Sequence, residues 1–171
     1  IKGAEKCAVE ICSFSKGAGF TGIRCGWSVV PKALSFENTD VKTAFFRKLS
    51  AEKNGVSYIS QRGAEATLLP KGREESARNI SEYLHNAAVL GSVFEEKGYT
   101  YFGGVNSPYL WLRLPEKTTS ESFFAKLLYG AYIVGTPGAG FGPSGEGYFR
   151  FSSLALPRDI NTAAFRLRAF L

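Results

Sequence analysis

The chain has 171 residues, of which 44% are apolar and 14% are aromatic, a composition that excludes intrinsic disorder and predicts one domain or two small subdomains. Lys and Arg number 21 against 15 Asp and Glu, which leaves a net charge of +6. The basic residues are scattered along the chain and match no RNA-binding signature, so we expect a mixed charged surface and no nucleic-acid partner.

Rarer residues exclude further classes of protein. No apolar run is long enough for a membrane span, so we expect a soluble chain with no membrane partner. Cys7, Cys12 and Cys25 are an odd count without a Cys-x-x-Cys pair, which fits a reducing compartment. His85 is the single histidine, so we predict no metal site. Position 1 is Ile and Met is absent, so we expect further sequence upstream.

The first half of the chain combines short apolar runs with helical patterns. An apolar run precedes a glycine-rich loop at residues 13–22. Further along the chain, the segment Pro70-Lys71-Gly72 is expected to end a helix. The predicted elements are strands at 7–12 and 23–30, and helices at 39–49 and 58–69.

The second half begins with the clearest helical pattern, which runs from Glu74 to a stop at Gly98. Short strands and helices then alternate, which is typical of a small α+β subdomain. The predicted strands are 99–102, 109–114, 133–134 and 148–152, and the predicted helices are 120–129 and 161–170. The whole chain is expected to be α/β, with this subdomain covering residues from about 98 to 171.

Two glycine-rich loops are candidates for chemistry. Residues 140–145 formally match a dinucleotide-binding fingerprint, but Pro143 lies inside the loop and a strand-like run follows it, whereas the fingerprint must open a helix. We interpret this loop as one that needs positive φ at several glycines, with a substrate-adjacent loop as the alternative.

The other loop contains Ser13, Ser15 and Lys16 and is followed by Arg24. Hydroxyls and a guanidinium can grip an anion such as phosphate, and small residues around the lysine leave space for a bulky planar ligand. The alternative from the residues alone is a solvated lysine in a flexible loop.

Four segments resemble one family. Residues 13–31, SFSKGAGFTGIRCGWSVVP, are similar to the lysine region of fold-type I, pyridoxal-phosphate-dependent aminotransferases, and most of all to the family of LL-diaminopimelate aminotransferases. The supporting segments are NGVSYISQRGA at 54–64, SPYLW at 107–111 and GTPGAGFGPSGEGYFR at 135–150. The resemblance implies that residues 1–73 end the cofactor-binding large domain with its linking helices. Residues 74–171 would then form the interdomain helix and the small C-terminal domain.

The same resemblance implies roles for individual residues. Lys16 is the catalytic lysine that carries pyridoxal 5'-phosphate and moves a proton at the substrate. Ser13, Ser15 and Arg24 hold the cofactor phosphate, and Arg150 pairs with the substrate α-carboxylate. Asn54 reaches the cofactor and substrate of a neighbouring subunit, which implies a homodimer with shared sites. Amino acids and 2-oxo acids are the implied substrates.

The implied activity is amino transfer between glutamate and tetrahydrodipicolinate in lysine biosynthesis, in a bacterial cytoplasm or a plastid. The family's remaining cofactor residues precede the lysine, so we expect a C-terminal portion that is inactive alone. Two alternatives remain open: a non-catalytic interaction domain, and a related aminotransferase that uses another amino donor such as lysine.

Overall fold

The computed structural model describes residues 1–171 as two compact units, Ile1–Asn79 and Ile80–Leu171. The division falls inside the longest helix, α4 (Pro70–Glu96). No helix combines the length and apolar character that a membrane crossing requires.

The first unit is built around a short antiparallel pair, β1 (Glu10–Ser13) and β2 (Gly26–Val29). The two strands are connected by the one-turn helix α1 (Phe14–Gly17) and by the rest of the glycine-rich loop at residues 13–22. A second pair, β3 (Ser35–Phe36) and β4 (Thr39–Asp40), leads into helices α2 (Val41–Glu52) and α3 (Tyr58–Leu68).

Side-chain caps set where the two middle helices begin. The Asp40 carboxylate accepts from the backbone N–H of Lys42 and of Thr43 at 3.0 and 3.2 Å, and the Ser57 hydroxyl accepts from Ser60 at 3.2 Å. These oxygens satisfy N–H groups that have no partner inside the first helical turn. Helices predicted at 39–49 and 58–69 are confirmed with slightly shifted ends.

The second unit is a four-stranded antiparallel sheet packed against helices. The strands β5 (Tyr101–Gly103), β6 (Tyr109–Arg113), β7 (Thr136–Pro137) and β8 (Tyr148–Ser152) lie in the order β5-β6-β8-β7. Helices α5 (Ser120–Ala131) and α6 (Pro157–Phe170) join the C-terminal part of α4 in covering one face. Strand residues alternate between the two faces of a sheet, so Leu110, Leu112, Phe149 and Phe151 form the core while their neighbours face outwards.

Three sequence predictions were wrong. α3 ends just before Pro70, as predicted, but α4 begins at Pro70 and not at Glu74, because a proline at the first helical position loses no hydrogen bond there. Pro157 likewise begins α6 upstream of the predicted start at Asn161. The strand expected at 133–134 lies at Thr136–Pro137, because Tyr132 ends α5 in a left-handed conformation and the Ile133 N–H bonds back to Leu127.

Candidate active site

Two aromatic rings hold the lysine loop, residues 13–24, in place. Phe14 and Phe20 pack with ring centroids 5.8 Å apart, and Phe20 is buried with Cys25 and Ala64 in a small cluster. Gly63 of α3 lies directly beneath Phe20, where a Cβ atom would be 3.4 Å from the ring. The loop is therefore anchored to α3 by its apolar side chains, while its polar side chains stay accessible.

Lys16 lies on the one-turn helix and is half-buried. Its Nζ donates to the Thr21 hydroxyl at 3.4 Å, and that hydroxyl donates to the Ser15 carbonyl at 2.8 Å. Lys16 makes no ion pair with a carboxylate. A weak hydrogen bond to a hydroxyl orients the amine without engaging it strongly, so the amine is free to react with a ligand.

Arg24 brings a guanidinium back to the same loop. Its backbone is left-handed, with φ 64°, a conformation that non-glycine residues adopt rarely and that often marks functional positions. Its Nη1 donates to the Thr21 carbonyl at 2.7 Å and to the Ser15 hydroxyl at 3.4 Å. Arg24 also has no carboxylate partner, so its positive charge is available to an anion.

Ser13 ends β1 at the base of the loop. Its hydroxyl accepts from the Ser15 N–H at 3.1 Å and keeps its own O–H available. Opposite it, Gly26 has no room for a side chain, since a Cβ would lie 2.9 Å from the Cys12 carbonyl oxygen. The close β1–β2 pairing thus fixes where the serine enters the loop.

The donor set of this loop fits pyridoxal phosphate. Two hydroxyls and a guanidinium suit a phosphate group, and a primary amine a few residues away suits the cofactor's aldehyde. Lys16 and Arg24 lack acidic partners that a phosphate would have to displace. Ser13, Ser15 and Arg24 would hold the phosphate, and Lys16 would bind the cofactor covalently.

The remaining predicted site residues do not belong to this loop. Asn54 lies exposed between α2 and α3 and makes no hydrogen bond, although its neighbour Val56 packs against the Phe20 cluster. Arg150 belongs to the second unit, on β8.

Arg150 lies on the outward face of the sheet among aromatic side chains. Its guanidinium carbon lies over the rings of Tyr109 and Phe141, 4.6 and 4.7 Å from their centroids. Trp111, its cross-strand partner, stacks on Tyr148 with a centroid distance of 5.5 Å and meets Phe141 edge-on at 5.3 Å. The arginine is thus surrounded by rings on a rigid strand.

The polar contacts of Arg150 are few. Nη2 donates to the Thr136 hydroxyl at 3.3 Å, Nε is buried without a hydrogen-bond partner, and no carboxylate pairs with the guanidinium. A guanidinium without a counter-charge attracts an anionic ligand, because no acidic side chain has to be displaced first.

The glycine-rich loop beside Arg150 is held by close packing and one carboxylate. Gly138 packs directly against Gly145, since a Cβ atom on Gly138 would lie only 1.9 Å from the Gly145 carbonyl oxygen. The Glu146 carboxylate accepts from the Ser120 N–H at 2.7 Å and from its hydroxyl at 2.9 Å. The loop forms two 3₁₀ turns and then β8, which confirms that it does not open a helix as a dinucleotide loop does.

Sequence reasoning missed Thr21, Tyr109, Phe141 and the Ser120–Glu146 contact. The apolar residues at every second position, 110 and 112 in one strand and 149 and 151 in the other, were the signal that could have placed Tyr109 and Arg150 on the outward faces of their strands.

Residues 3–164 match the family Aminotransferase class I and II. The chain belongs to this family of pyridoxal-phosphate-dependent enzymes, and its fold is the fold-type I aminotransferase fold. Within the family it is a homologue of the LL-diaminopimelate aminotransferases, as the resemblance predicted.

Curated relatives place the chain in this group. It is 46% identical over 173 residues to the LL-diaminopimelate aminotransferase of Bacteroides fragilis, an alignment that covers 98% of this chain and 42% of the relative. It is 48% identical over 176 residues to that of Parabacteroides distasonis, covering 100% and 43% of the two chains. The chain therefore spans less than half the length of the relatives that it matches.

Solved structures agree with this assignment. The L,L-diaminopimelate aminotransferase from Chlamydomonas reinhardtii superposes with a TM-score of 0.94 at 42% identity, covering 100% of this chain and 42% of that one. An aminotransferase from Mycobacterium tuberculosis superposes with a TM-score of 0.84 at 26% identity, over 96% and 41% of the two chains.

Proposed function

We propose that residues 1–171 supply the lysine loop and the carboxylate-binding arginine of an LL-diaminopimelate:2-oxoglutarate aminotransferase. The enzyme would exchange an amino group between glutamate and tetrahydrodipicolinate in lysine biosynthesis. One observation carries the proposal: Lys16, Ser15 and Arg24 converge in a single loop and none of them has an acidic partner. The names of the relatives support the substrate.

Each loop residue has a distinct task in this proposal. Ser13, Ser15 and Arg24 would bind the cofactor phosphate and keep it in place. The Lys16 amine then accepts and returns the proton of the substrate's α-carbon, with Thr21 orienting it through the hydrogen bond to Nζ. Bound pyridoxal phosphate supplies the electron sink that stabilises charge at that carbon.

Arg150 orients the substrate. Its planar guanidinium forms two parallel hydrogen bonds with the α-carboxylate, a geometry that a lysine ammonium does not offer. Because the arginine is attached to β8 in the middle of the sheet, it is held more firmly than a loop residue would be.

We also propose the homodimer, the domain division and the compartment that the resemblance implies. Asn54 is exposed and free of hydrogen bonds, which suits a residue that reaches a neighbouring subunit. The boundary between residues 73 and 74 would separate large and small domains, and the enzyme would work in the cytoplasm or a plastid. Residues 1–171 alone would not turn over substrate.

Substitution of Lys16 in a chimera tests the proposal. Residues 1–171 replace the matching segment of the Bacteroides fragilis relative, and the purified protein is incubated with pyridoxal phosphate. We expect visible absorbance from lysine-bound cofactor, and expect Lys16→Ala to abolish it and to lower turnover by about a thousandfold or more. Lys6→Ala, an exposed lysine of the same unit, is the control and should change neither.

Two outcomes contradict the assignment. If Lys16→Ala keeps the absorbance, Lys16 is not the cofactor lysine. If the unsubstituted chimera binds no pyridoxal phosphate, the loop does not form a cofactor site. Assays with LL-diaminopimelate and with lysine as amino donors decide between the proposed substrate and the alternative donor.

A further inference from the structure

The surroundings of Arg150 are unusual for an arginine on a sheet. Its two nearest aromatic rings, Tyr109 and Phe141, come from a neighbouring strand and from the glycine-rich loop, and both lie within cation–π distance. Here the only side chain that accepts from the guanidinium is Thr136.

We propose that Tyr109 and Phe141 are positioning residues that hold the Arg150 guanidinium ready for the substrate carboxylate. The inference rests on the proposed function of Arg150. It adds that the two rings, and not an ion pair, determine where the guanidinium lies before a ligand binds.

Rings orient the cation without neutralising it. An acidic partner would also hold Arg150, but the incoming carboxylate would have to displace that partner and would lose affinity. A guanidinium is weakly hydrated and stacks on aromatic faces readily, so ring contact leaves its charge and its N–H edge available. The buried Nε has no accessible surface, so an incoming carboxylate must meet the terminal nitrogens unless the side chain moves.

The backbone that carries Tyr109 is held firmly. The Tyr109 N–H donates to the Ser107 hydroxyl at 3.2 Å, and the preceding Pro108 carbonyl accepts from the buried Ser153. These contacts lock the start of β6 to the end of β8.

Phe141 is held from two directions. Its ring meets Trp111 edge-on, and the loop that carries it is tied to α5, where the Ser120 hydroxyl accepts from the Ala139 N–H at 3.2 Å. Because both rings extend from backbone segments that are held before a ligand arrives, less ordering of Arg150 is left for the binding step, and this favours affinity.

The first test uses the chimera and separates binding from chemistry. Tyr109→Leu and Phe141→Leu should each raise the KM for glutamate, and the Kd of the unreactive dicarboxylate glutarate, by about fivefold. The kcat should stay within about twofold, because the rings do not touch the reacting atoms. Tyr109→Phe and Phe141→Tyr keep a ring and should bind glutarate as the unsubstituted chimera does.

Phe165→Leu is the matched control. Phe165 is an exposed ring on α6 that has no ring or cation partner, so its loss should leave the glutarate Kd unchanged. Normal glutarate binding in both leucine variants overturns the inference, and so does an equal loss in Phe165→Leu. Cofactor absorbance is recorded for every variant, so that failure of the lysine site is seen separately from failure of the rings.

The second test does not depend on the cofactor. In the 171-residue chain, ring currents from Tyr109 and Phe141 should shift the NMR resonance of the Arg150 Nε–H, and Arg150→Lys should identify that resonance by removing it. We expect each leucine variant to move the resonance towards that of a free arginine and to weaken its response to glutarate. A resonance that is unchanged in both variants overturns the inference, whatever the chimera does.

Discussion

The two units of the chain differ in how they hold their functional side chains. Ile80–Leu171 has a core of fifteen buried residues, and its arginine projects from the sheet that this core supports. Ile1–Asn79 has a buried cluster of only three residues beneath the lysine loop. The proposed carboxylate site is therefore built on a rigid scaffold, whereas the lysine loop is held by two aromatic side chains, by local hydrogen bonds and by the left-handed backbone of Arg24.

This difference has a functional meaning. A residue that only orients substrate benefits from a fixed position on a strand. A lysine that exchanges partners during a reaction needs freedom of movement, and local unfolding is least costly where few apolar contacts must be broken. The comparison predicts that the two units respond differently to the same kind of mutation.

The largest effect is expected from removal of a large buried ring. Phe149 has no exposed surface and packs against Phe123 and Phe151, with centroids 5.0 and 5.2 Å away. Phe149→Ala should lower the free energy of unfolding of its unit by about 3 to 5 kcal/mol. Phe20→Ala should cost about 2 kcal/mol and act only on the lysine loop, because the cluster around Phe20 is small.

Native-state hydrogen exchange of the 171-residue chain measures the two units separately. Protection should fall throughout the sheet in Phe149→Ala and only near residues 13–24 in Phe20→Ala. Equal and global losses in both variants would contradict the proposed contrast between the units.

A smaller effect on stability is expected in the glycine-rich loop beside Arg150. A Cβ on Gly138 would meet the backbone oxygen of Gly145 at 1.9 Å and that of Tyr148 at 2.5 Å, and backbone atoms cannot rotate away. Gly138→Ala should therefore destabilise the second unit by about 3 kcal/mol in urea unfolding. Gly140→Ala, in the same turn, has open space around its Cβ and should be nearly neutral. If the two alanines behave alike, close packing does not shape this loop.

The smallest effect concerns the contact that ties this loop to α5. Ser120 is fully buried, and its hydroxyl both donates to Glu146 and accepts from Ala139. Ser120→Ala should destabilise the second unit by about 1 to 2 kcal/mol, because it leaves the Ala139 N–H and the Glu146 carboxylate with fewer hydrogen-bond partners. Ser122→Ala, an exposed serine of the same helix, should cost less than about 0.5 kcal/mol in the same urea measurement.

The same contact predicts a pH dependence. Hydrogen bonds from the backbone and hydroxyl of Ser120, and from the backbone of Gly147, hold the pKa of the Glu146 carboxyl below its ordinary value. The ionised Glu146 carboxylate therefore contributes fully to stability above the ordinary glutamate pKa of about 4.3. This contribution is lost as the pH falls through the lowered pKa of Glu146. The stability difference between the unsubstituted chain and Glu146→Gln should shrink in acid; a difference that grows in acid would refute this account.

Much of the local structure could be predicted from the chain alone. The helices at 41–52, 58–68 and 120–131 carry regular apolar spacing and capping residues, so their existence and type were predicted correctly. Proline was the main source of error, since the same residue stops one helix and starts the next, and only packing decides between the two. The site roles of Lys16, Ser13, Ser15, Arg24, Asn54 and Arg150 remain predictions.

The sequence by itself determined which functional groups lie close together when only a few residues separate them along the chain. The amine of Lys16, the hydroxyls beside it and the guanidinium of Arg24 belong to one loop, so their proximity follows from short spacing along the chain. The surroundings of Arg150 were decided only by the tertiary structure. Tyr109 and Phe141 meet it, and Ser120 binds Glu146 across 26 residues, because strand register and the packing of α5 bring distant segments together. Such contacts depend on the burial of a shared core, which no local pattern records.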